Sequence, residues 1–204
     1  MTSVTSKPIS RINGASTLAI DPLDRGLRYG DGLFETIAWR AGRLEFLGRH
    51  VARMQEGAAR LRISLDAQSA SLRDAVEADF ESMWIEAGRP DEAVLRVQIT
   101  RGSGGRGYAV SGAEIPTRIS TLHPWPWQDS NGTAIEPPAA RLRFCQQTLA
   151  AQPALAGIKH SNRLEQVLAR MEWGVGADAA FDEGLMSDAE GRIIEGTMSN
   201  VFVL

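Results

Sequence analysis

With 204 residues, 43% hydrophobic and 23% charged, the chain has an ordinary globular composition, not that of a disordered chain. It can bury a sizeable core as one large domain or two small ones. A net charge of -3 lacks the basic field that a general nucleic-acid surface needs, although a few converging arginines suffice for a small anionic substrate. The single Cys145 cannot close an internal disulfide, and His50, His123 and His160 are scattered without Cys partners, so no metal site is expected. Residues 1–10 contain no apolar signal core and no run approaches a membrane span, which predicts a cytoplasmic protein that does not engage membranes.

In chain order, residues 9–18 and 33–39 read as strands joined by the Asp/Gly-rich loop 21–32. Arg40-Ala41-Gly42-Arg43 forms a turn. Leu47, Val51, Met54, Ala58 and Leu61 then step by four and three, marking a helix with one buried stripe. Leu72, Val76, Phe80, Met83 and Ala87 mark a second helix, stopped by Gly88 and Pro90. Residues 94–100 alternate, with Leu95, Val97 and Ile99 opposed to Arg96, Gln98 and Thr100, and 118–122 read as a further strand. The Pro/Trp/Gly-rich stretch 123–131 breaks both periods. It separates an N-terminal domain, 1–122, from a larger C-terminal one, 132–204. The second holds predicted strands at 141–147, around 178–181 and at 200–204, and a hairpin pairing 184–187 with 192–195 around Asp188-Ala189-Glu190-Gly191. Both halves are mixed α and β.

Two segments carry chemistry. In Gly157-Ile158-Lys159-His160-Ser161-Asn162-Arg163-Leu164-Glu165-Gln166 a lysine ends a short apolar run just before a helix. Asn162 and Glu165 are spaced as an N-cap and its capping-box partner, and Leu164, Val167, Leu168 and Met171 recur at helical spacing to about Trp173. Such a lysine is either a solvated surface charge or an amine held on rigid backbone for Schiff-base chemistry. The second segment is Thr100-Arg101-Gly102-Ser103-Gly104-Gly105-Arg106-Gly107-Tyr108. It lacks the Gly-Lys-Ser/Thr ending of a nucleotide loop, leaving a plain hairpin loop or a ligand-contacting one.

The lysine segment closely resembles that of class IV (fold type IV) pyridoxal-phosphate enzymes, and among them the aminodeoxychorismate lyases. Three further segments agree in order: Asp24-Arg25-Gly26 with Tyr29-Gly30-Asp31-Gly32-Leu33-Phe34-Glu35-Thr36; Arg49-His50-Val51-Ala52-Arg53-Met54, with Met54 where the family usually has Leu; and Glu195-Gly196-Thr197-Met198-Ser199-Asn200-Val201-Phe202. The glycine-rich segment resembles the Arg-Gly-x-Gly-Gly-Arg-Gly-Tyr loop of the lyases, which is more selective than the general class IV pattern.

The resemblance implies a two-domain, mixed α/β fold of the D-amino-acid-aminotransferase type, with pyridoxal 5'-phosphate between the domains and a homodimeric enzyme. Family members continue for several tens of residues beyond the position of Leu204, so an incomplete C-terminal domain is expected. By the same resemblance Lys159 forms the Schiff base and moves the proton, a task that needs its pKa lowered by desolvation or nearby positive charge. Glu195 protonates the pyridine nitrogen and Arg53 binds the cofactor phosphate with paired N–H donors. Ser199 and Asn200 position the cofactor or its loop, while Arg106, Tyr108 and Arg28 face the substrate carboxylates. From the residues alone, Glu195 reads equally as a hairpin surface carboxylate, Asn200 as a turn cap, and His50 and His160 as structural. The implied function is 4-amino-4-deoxychorismate lyase, releasing pyruvate and 4-aminobenzoate for folate biosynthesis. A class IV aminotransferase acting on D-amino or branched-chain amino acids, and a non-catalytic homologue, are the alternatives.

Overall fold

A computed structural model describes residues 7–65, 71–129, 133–174 and 180–203. The chain divides into two compact units: Met1–Ile135 with Gly157–Ser161, and Glu136–Ala156 with Asn162–Leu204. The boundary therefore falls after the 123–131 stretch, whose first two residues finish a strand, and the lysine segment groups with the first unit rather than the second.

The first unit is an antiparallel sheet with two helices on one face. Its strands are β1 (Ile9–Ile12), β2 (Gly32–Arg40), β3 (Arg43–Leu44), β4 (Ala93–Thr100) and β5 (Thr117–Pro124), in the order β1-β5-β4-β2-β3. A short helix, α1 (Arg25–Tyr29), precedes β2; α2 (Leu47–Leu61) and α3 (Leu72–Glu86) join β3 to β4. Register aligns Leu33, Glu35 and Ile37 of β2 with Ile99, Val97 and Leu95 of β4, and these with Arg118, Ser120 and Leu122 of β5. By strand alternation all nine share one face. Met54 and Ala58 of α2 and Val76, Phe80 and Met83 of α3 are buried as the helical spacing predicts.

That face is not wholly apolar. Asp79 of α3, 2% exposed, accepts from Arg118 Nε (2.8 Å) and Ser120 Oγ (2.5 Å), while Arg11 of β1 reaches Ser82 and Glu86. Buried charges persist only when so paired, and these fix how α3 crosses the sheet. The strand expected at 9–18 ends at Ile12, because the chain turns through Asn13 and Gly14 with positive φ. The 21–32 loop contains α1, capped by Asp24 Oδ1 accepting from the amides of Gly26 (2.8 Å) and Leu27 (3.4 Å).

The second unit holds β6 (Leu142–Phe144), parallel to β7 (Glu183–Ser187), which pairs antiparallel with β8 (Ile193–Gly196); α4 (Leu164–Arg170) packs on β7. The hairpin at 184–195 forms as its turn residues predict, with Asp188 Oδ1 accepting from the amides of Glu190 and Arg192. The capping box does not form. Arg163, not Asn162, is the N-cap, and Glu165 instead accepts from the amide of Ala150 (2.9 Å). The α4 stripe is exposed, Leu164 at 76% and Met171 at 73%; the buried position is Ala169. Residues 200–203 form no strand, and the strand expected around 178–181 lies largely outside the described residues. Among those described, no helix is long and apolar enough to cross a membrane.

Gly102 shows how tightly the first unit closes. Its φ is +86°, and a Cβ there would sit 1.8 Å from the carbonyl oxygen of Ile115. Gly102→Ala is expected to destabilise the protein by about 3 kcal/mol through backbone overlap and left-handed strain. A denaturant midpoint equal to the wild type's would contradict this packing.

Candidate active site

Lys159 is placed by backbone. Its carbonyl accepts from the amide of Phe34 (2.9 Å), and the amide of Ser161 donates to the carbonyl of Gly32 (2.9 Å), with Leu33 and His160 as bridge partners. β3 occupies the other end of this β2 edge, through Trp39 and Arg40, so the lysine segment extends the edge pairing toward the start of β2. Ile158, 6% exposed, anchors the segment over Gly57 of α2, where an added Cβ would lie 3.6 Å from the Ile158 Cβ. Half-buried Lys159 places its Nζ 4.8 Å from the centroid of the Phe34 ring, which also carries Arg96 at 4.2 Å.

The next residue of β2 organises a second group. Glu35, 1% exposed, points to the helix face and receives Arg53 Nε on Oε1 and Arg53 Nη2 on Oε2, both at 2.5 Å, with His50 Nδ1 2.7 Å from Oε2. Burial drives the Glu35 carboxyl upward, but the hydrogen bonds and charges of Arg53 and His50 together outweigh it and hold the group below its ordinary range. Arg53 thus spends its Nε/Nη2 pair on Glu35. A guanidinium has five N–H groups, so Nη1 and the second Nη2 hydrogen form another donor edge, on a side chain 47% exposed.

Arg101 and Arg25 share a third carboxylate. Asp31 accepts from Arg101 Nε (2.7 Å), Arg101 Nη2 (3.1 Å) and Arg25 Nε (2.9 Å). Burial raises the Asp31 carboxyl, and the two guanidinium groups overcome that and lower it. Arg101 also donates to the carbonyls of Leu61 and Arg62 at the end of α2, where the helix dipole favours a cation. The glycine-rich segment is therefore tied at its base. Arg106, Tyr108 and Arg28 all lie on the exposed surface of this unit, Tyr108 at 83%, with the Tyr29 and Tyr108 rings 5.2 Å apart and the Arg28 guanidinium 4.9 Å from Tyr29.

In the second unit Glu195 of β8 is half-buried. Its Oε1 accepts from Gln166 Nε2 (2.9 Å) and lies 3.6 Å from Arg163 Nη1, so the start of α4 holds it. Ser199 does not project freely: its hydroxyl donates to Glu183 Oε2 (2.8 Å) and its carbonyl accepts from the Gly196 amide (2.9 Å). Glu183, 8% exposed, also accepts from the Thr197 hydroxyl and from the amides of Thr197, Met198 and Gly184. Burial raises its carboxyl, but those donors prevail and lower it. Glu183 and Ser199 together shape the turn after Glu195; Asn200 is exposed beside it.

Several of these residues had a sequence signal but no assigned role. Glu35 is the lone carboxylate of β2, between the buried Leu33 and Ile37 on the same face, and faces a His-x-x-Arg pair on the next helix. Gln166 stands one turn into the helix that follows the lysine. Glu183 carries no such pattern.

The family described as amino-transferase class IV matches residues 32–204. The chain is 33% identical over 196 residues to an aminodeoxychorismate lyase of Vibrio harveyi, a match spanning 94% of this chain and 65% of that protein. It is 29% identical over 199 residues to a D-alanine aminotransferase of Bacillus licheniformis, covering 95% of this chain and 62% of the relative. The crystal structure of 4-amino-4-deoxychorismate lyase from Pseudomonas aeruginosa superposes with a TM-score of 0.72 at 39% identity, over 93% of this chain and 65% of that one. The chain thus spans somewhat under two thirds of the length of these proteins.

Glu35 gives a pH-dependent test. Because its folded pKa lies below the ordinary 4.5, its stabilising contribution is complete above that value and is lost as pH falls through the lower, folded one. Glu35→Gln is expected to cost about 2–3 kcal/mol at neutral pH, as a buried ion pair loses one charge. The gap to wild type should narrow on acidification below 4.5. A gap in urea stability that stays constant with pH would contradict the assignment.

Proposed function

This chain belongs to the class IV aminotransferase family, and from that premise we propose that it forms the active site of a 4-amino-4-deoxychorismate lyase, yielding pyruvate and 4-aminobenzoate. Enzymes of the family depend on pyridoxal phosphate. The observation that carries the reading is Lys159, a half-buried amine on backbone bonded to β2 at its own carbonyl and at the amide of Ser161. The choice of lyase rests on the glycine-arginine loop and on the similarity to two lyases.

The donor set fits the cofactor. Beside Lys159, the Ser161 hydroxyl is buried without a hydrogen-bond partner, and next to Glu195 so is Gln166 Oε1. Lys159 would hold the cofactor's aldehyde carbon, Glu195 its pyridine nitrogen, and the outer donor edge of Arg53 its phosphate. Ser199 and Asn200 would shape the loop beneath it. When bound, pyridoxal phosphate supplies an electron sink for the carbon bearing the substrate amine.

The chain's own residues do the rest. Lys159 Nζ, released when the substrate's amine takes its place on the aldehyde carbon, removes the proton from that ring carbon. Glu195, oriented by Gln166 and Arg163, keeps a proton on the pyridine nitrogen. Arg106 and Tyr108, with Arg28, engage the substrate's carboxylates. The ring's C–O bond to the enolpyruvyl group breaks, and the ring becomes aromatic. The proton held by Lys159 passes to the enolpyruvyl carbon, giving pyruvate, so no other reactant is consumed. This reading places the enzyme on the folate route, in the cytoplasm and as a homodimer.

The second reading, a transaminase, draws on the similarity to the D-alanine aminotransferase. It would use the same Lys159 and Glu195, with Lys159 again moving the proton but no C–O bond breaking. A non-catalytic role is disfavoured because Lys159, Glu195 and Arg53 are all present.

A coupled assay separates them. The cofactor-loaded protein is expected to release pyruvate and 4-aminobenzoate in equal amounts, and Lys159→Ala to lower the rate by about 10³-fold or more. A yellow protein that releases neither product but transaminates D-alanine would replace the lyase with the transaminase.

A further inference from the structure

Arg25 opens α1, is 3% exposed, and meets the residues assigned to the substrate only through their loop's backbone. Its guanidinium is the centre of a mould. Nη1 donates to the carbonyls of Gly107 (3.1 Å) and Ala109 (3.2 Å), and Nη2 to the carbonyl of Tyr108 (3.1 Å). Nε is held by Asp31 (2.9 Å), and the Tyr29 ring lies 5.0 Å from the guanidinium carbon. The backbone amide of Arg25 donates to the Gly102 carbonyl (2.9 Å), fastening the other end of the same loop. Gly104 lies against the side chain's stem, where an added Cβ would come within 2.7 Å of Arg25 Cδ.

Three consecutive carbonyls turned onto one planar cation is a demanding arrangement. Gly107 permits it with a φ of +84°. Only a guanidinium offers several coplanar donors around one centre; a lysine ammonium is a point charge that cannot span them. With its carbonyls turned inward, the loop leaves Arg106 and Tyr108 on the exposed side. Arg25 thus sets the backbone that carries both side chains, and Tyr108 adds its ring contact with Tyr29, 5.2 Å between centroids.

We propose that Arg25 is a positioning residue that preorganises the 102–109 loop so that Arg106 and Tyr108 meet the substrate's carboxylates. This rests on the lyase reading for the identity of the ligand, but the loop's dependence on Arg25 does not. Ordering before binding removes an entropic cost from substrate capture and leaves the proton transfer at Lys159 untouched, so its loss falls on KM.

The test compares wild type, Arg25→Lys and Arg106→Ala in the cofactor-loaded protein. Arg25→Lys is expected to raise KM for 4-amino-4-deoxychorismate about tenfold with kcat within about threefold, as Arg106→Ala does, while the yellow absorbance is unchanged. Trypsin should spare the exposed Arg106–Gly107 bond in wild type and cut it about tenfold faster in Arg25→Lys, because cleavage reports the population of the opened loop. A fall in kcat at constant KM, or an unchanged KM beside faster cleavage, would overturn the proposal. If Arg25→Lys does not fold, wild type alone decides. Cleavage at Arg106 as fast as in urea-unfolded protein overturns the proposal, and resistance there supports it. Failure of the lyase reading shows separately, as a wild type releasing no pyruvate; equal cleavage of wild type and Arg25→Lys would then still overturn the role of Arg25.

Discussion

The short ladder between β2 and the lysine segment is the constraint on which the placement of Lys159 depends. Two backbone hydrogen bonds, at Phe34 and Gly32, bring a segment more than a hundred residues distant in sequence onto the β2 edge. Alternation along the strand then separates two jobs. Phe34 turns one way and meets the Lys159 amine; Glu35 turns the other and grips Arg53 and His50. Consecutive residues of one strand thus set the place of the amine and of the Arg53 guanidinium. A one-residue slip would exchange the two faces.

Around that strand, each junction is closed by a carboxylate with more than one donor. Glu35 joins β2 to α2, Asp31 joins the start of β2 to Arg25 and to Arg101 at the base of the glycine-rich loop, and Asp79 joins α3 to β5. In the second unit Glu183 closes the turn after Glu195. Such pairs add little net stability against well-packed apolar residues, but removing one partner is costly, so they define geometry more than they add strength. That explains why Asp24-Arg25-Gly26 is so constrained. Asp24 caps α1 while accepting from the hydroxyls of Thr100 and Thr117, Arg25 moulds the loop, and a Cβ on Gly26 would strike Thr100 Cγ2 at 2.2 Å.

Much of this was legible in the sequence, and what escaped had physical causes. The α2 and α3 stripes and the alternation of β4 are read correctly because a helix or strand with one buried face repeats at a fixed period. The hairpin after Ser187 announces itself through Asp188 and Gly191. Lys159 and Glu195 stand out because their segments match a family pattern. The capping box expected at Asn162 fails because spacing cannot tell where Glu165 will find a donor, and it accepts from the amide of Ala150. The helical spacing of Leu164, Val167, Leu168 and Met171 gives the helix but not which of its residues packs, and that residue is Ala169. For Arg53 the sequence indicates a cation but not Glu35, which takes one of its two donor edges. Arg25 lies in a family-like segment that gives it no role, since its three carbonyl partners lie about eighty residues away and are backbone, which sequence pattern does not encode.

The central claim is that Lys159 is the residue that holds the cofactor. Reducing the pyridoxal-phosphate-loaded protein with borohydride and mapping its peptides by mass spectrometry tests it most directly. A phosphopyridoxyl group on the peptide containing Lys159, and on no other lysine, is the predicted result. A protein that turns yellow but carries the group on a different lysine would contradict the account.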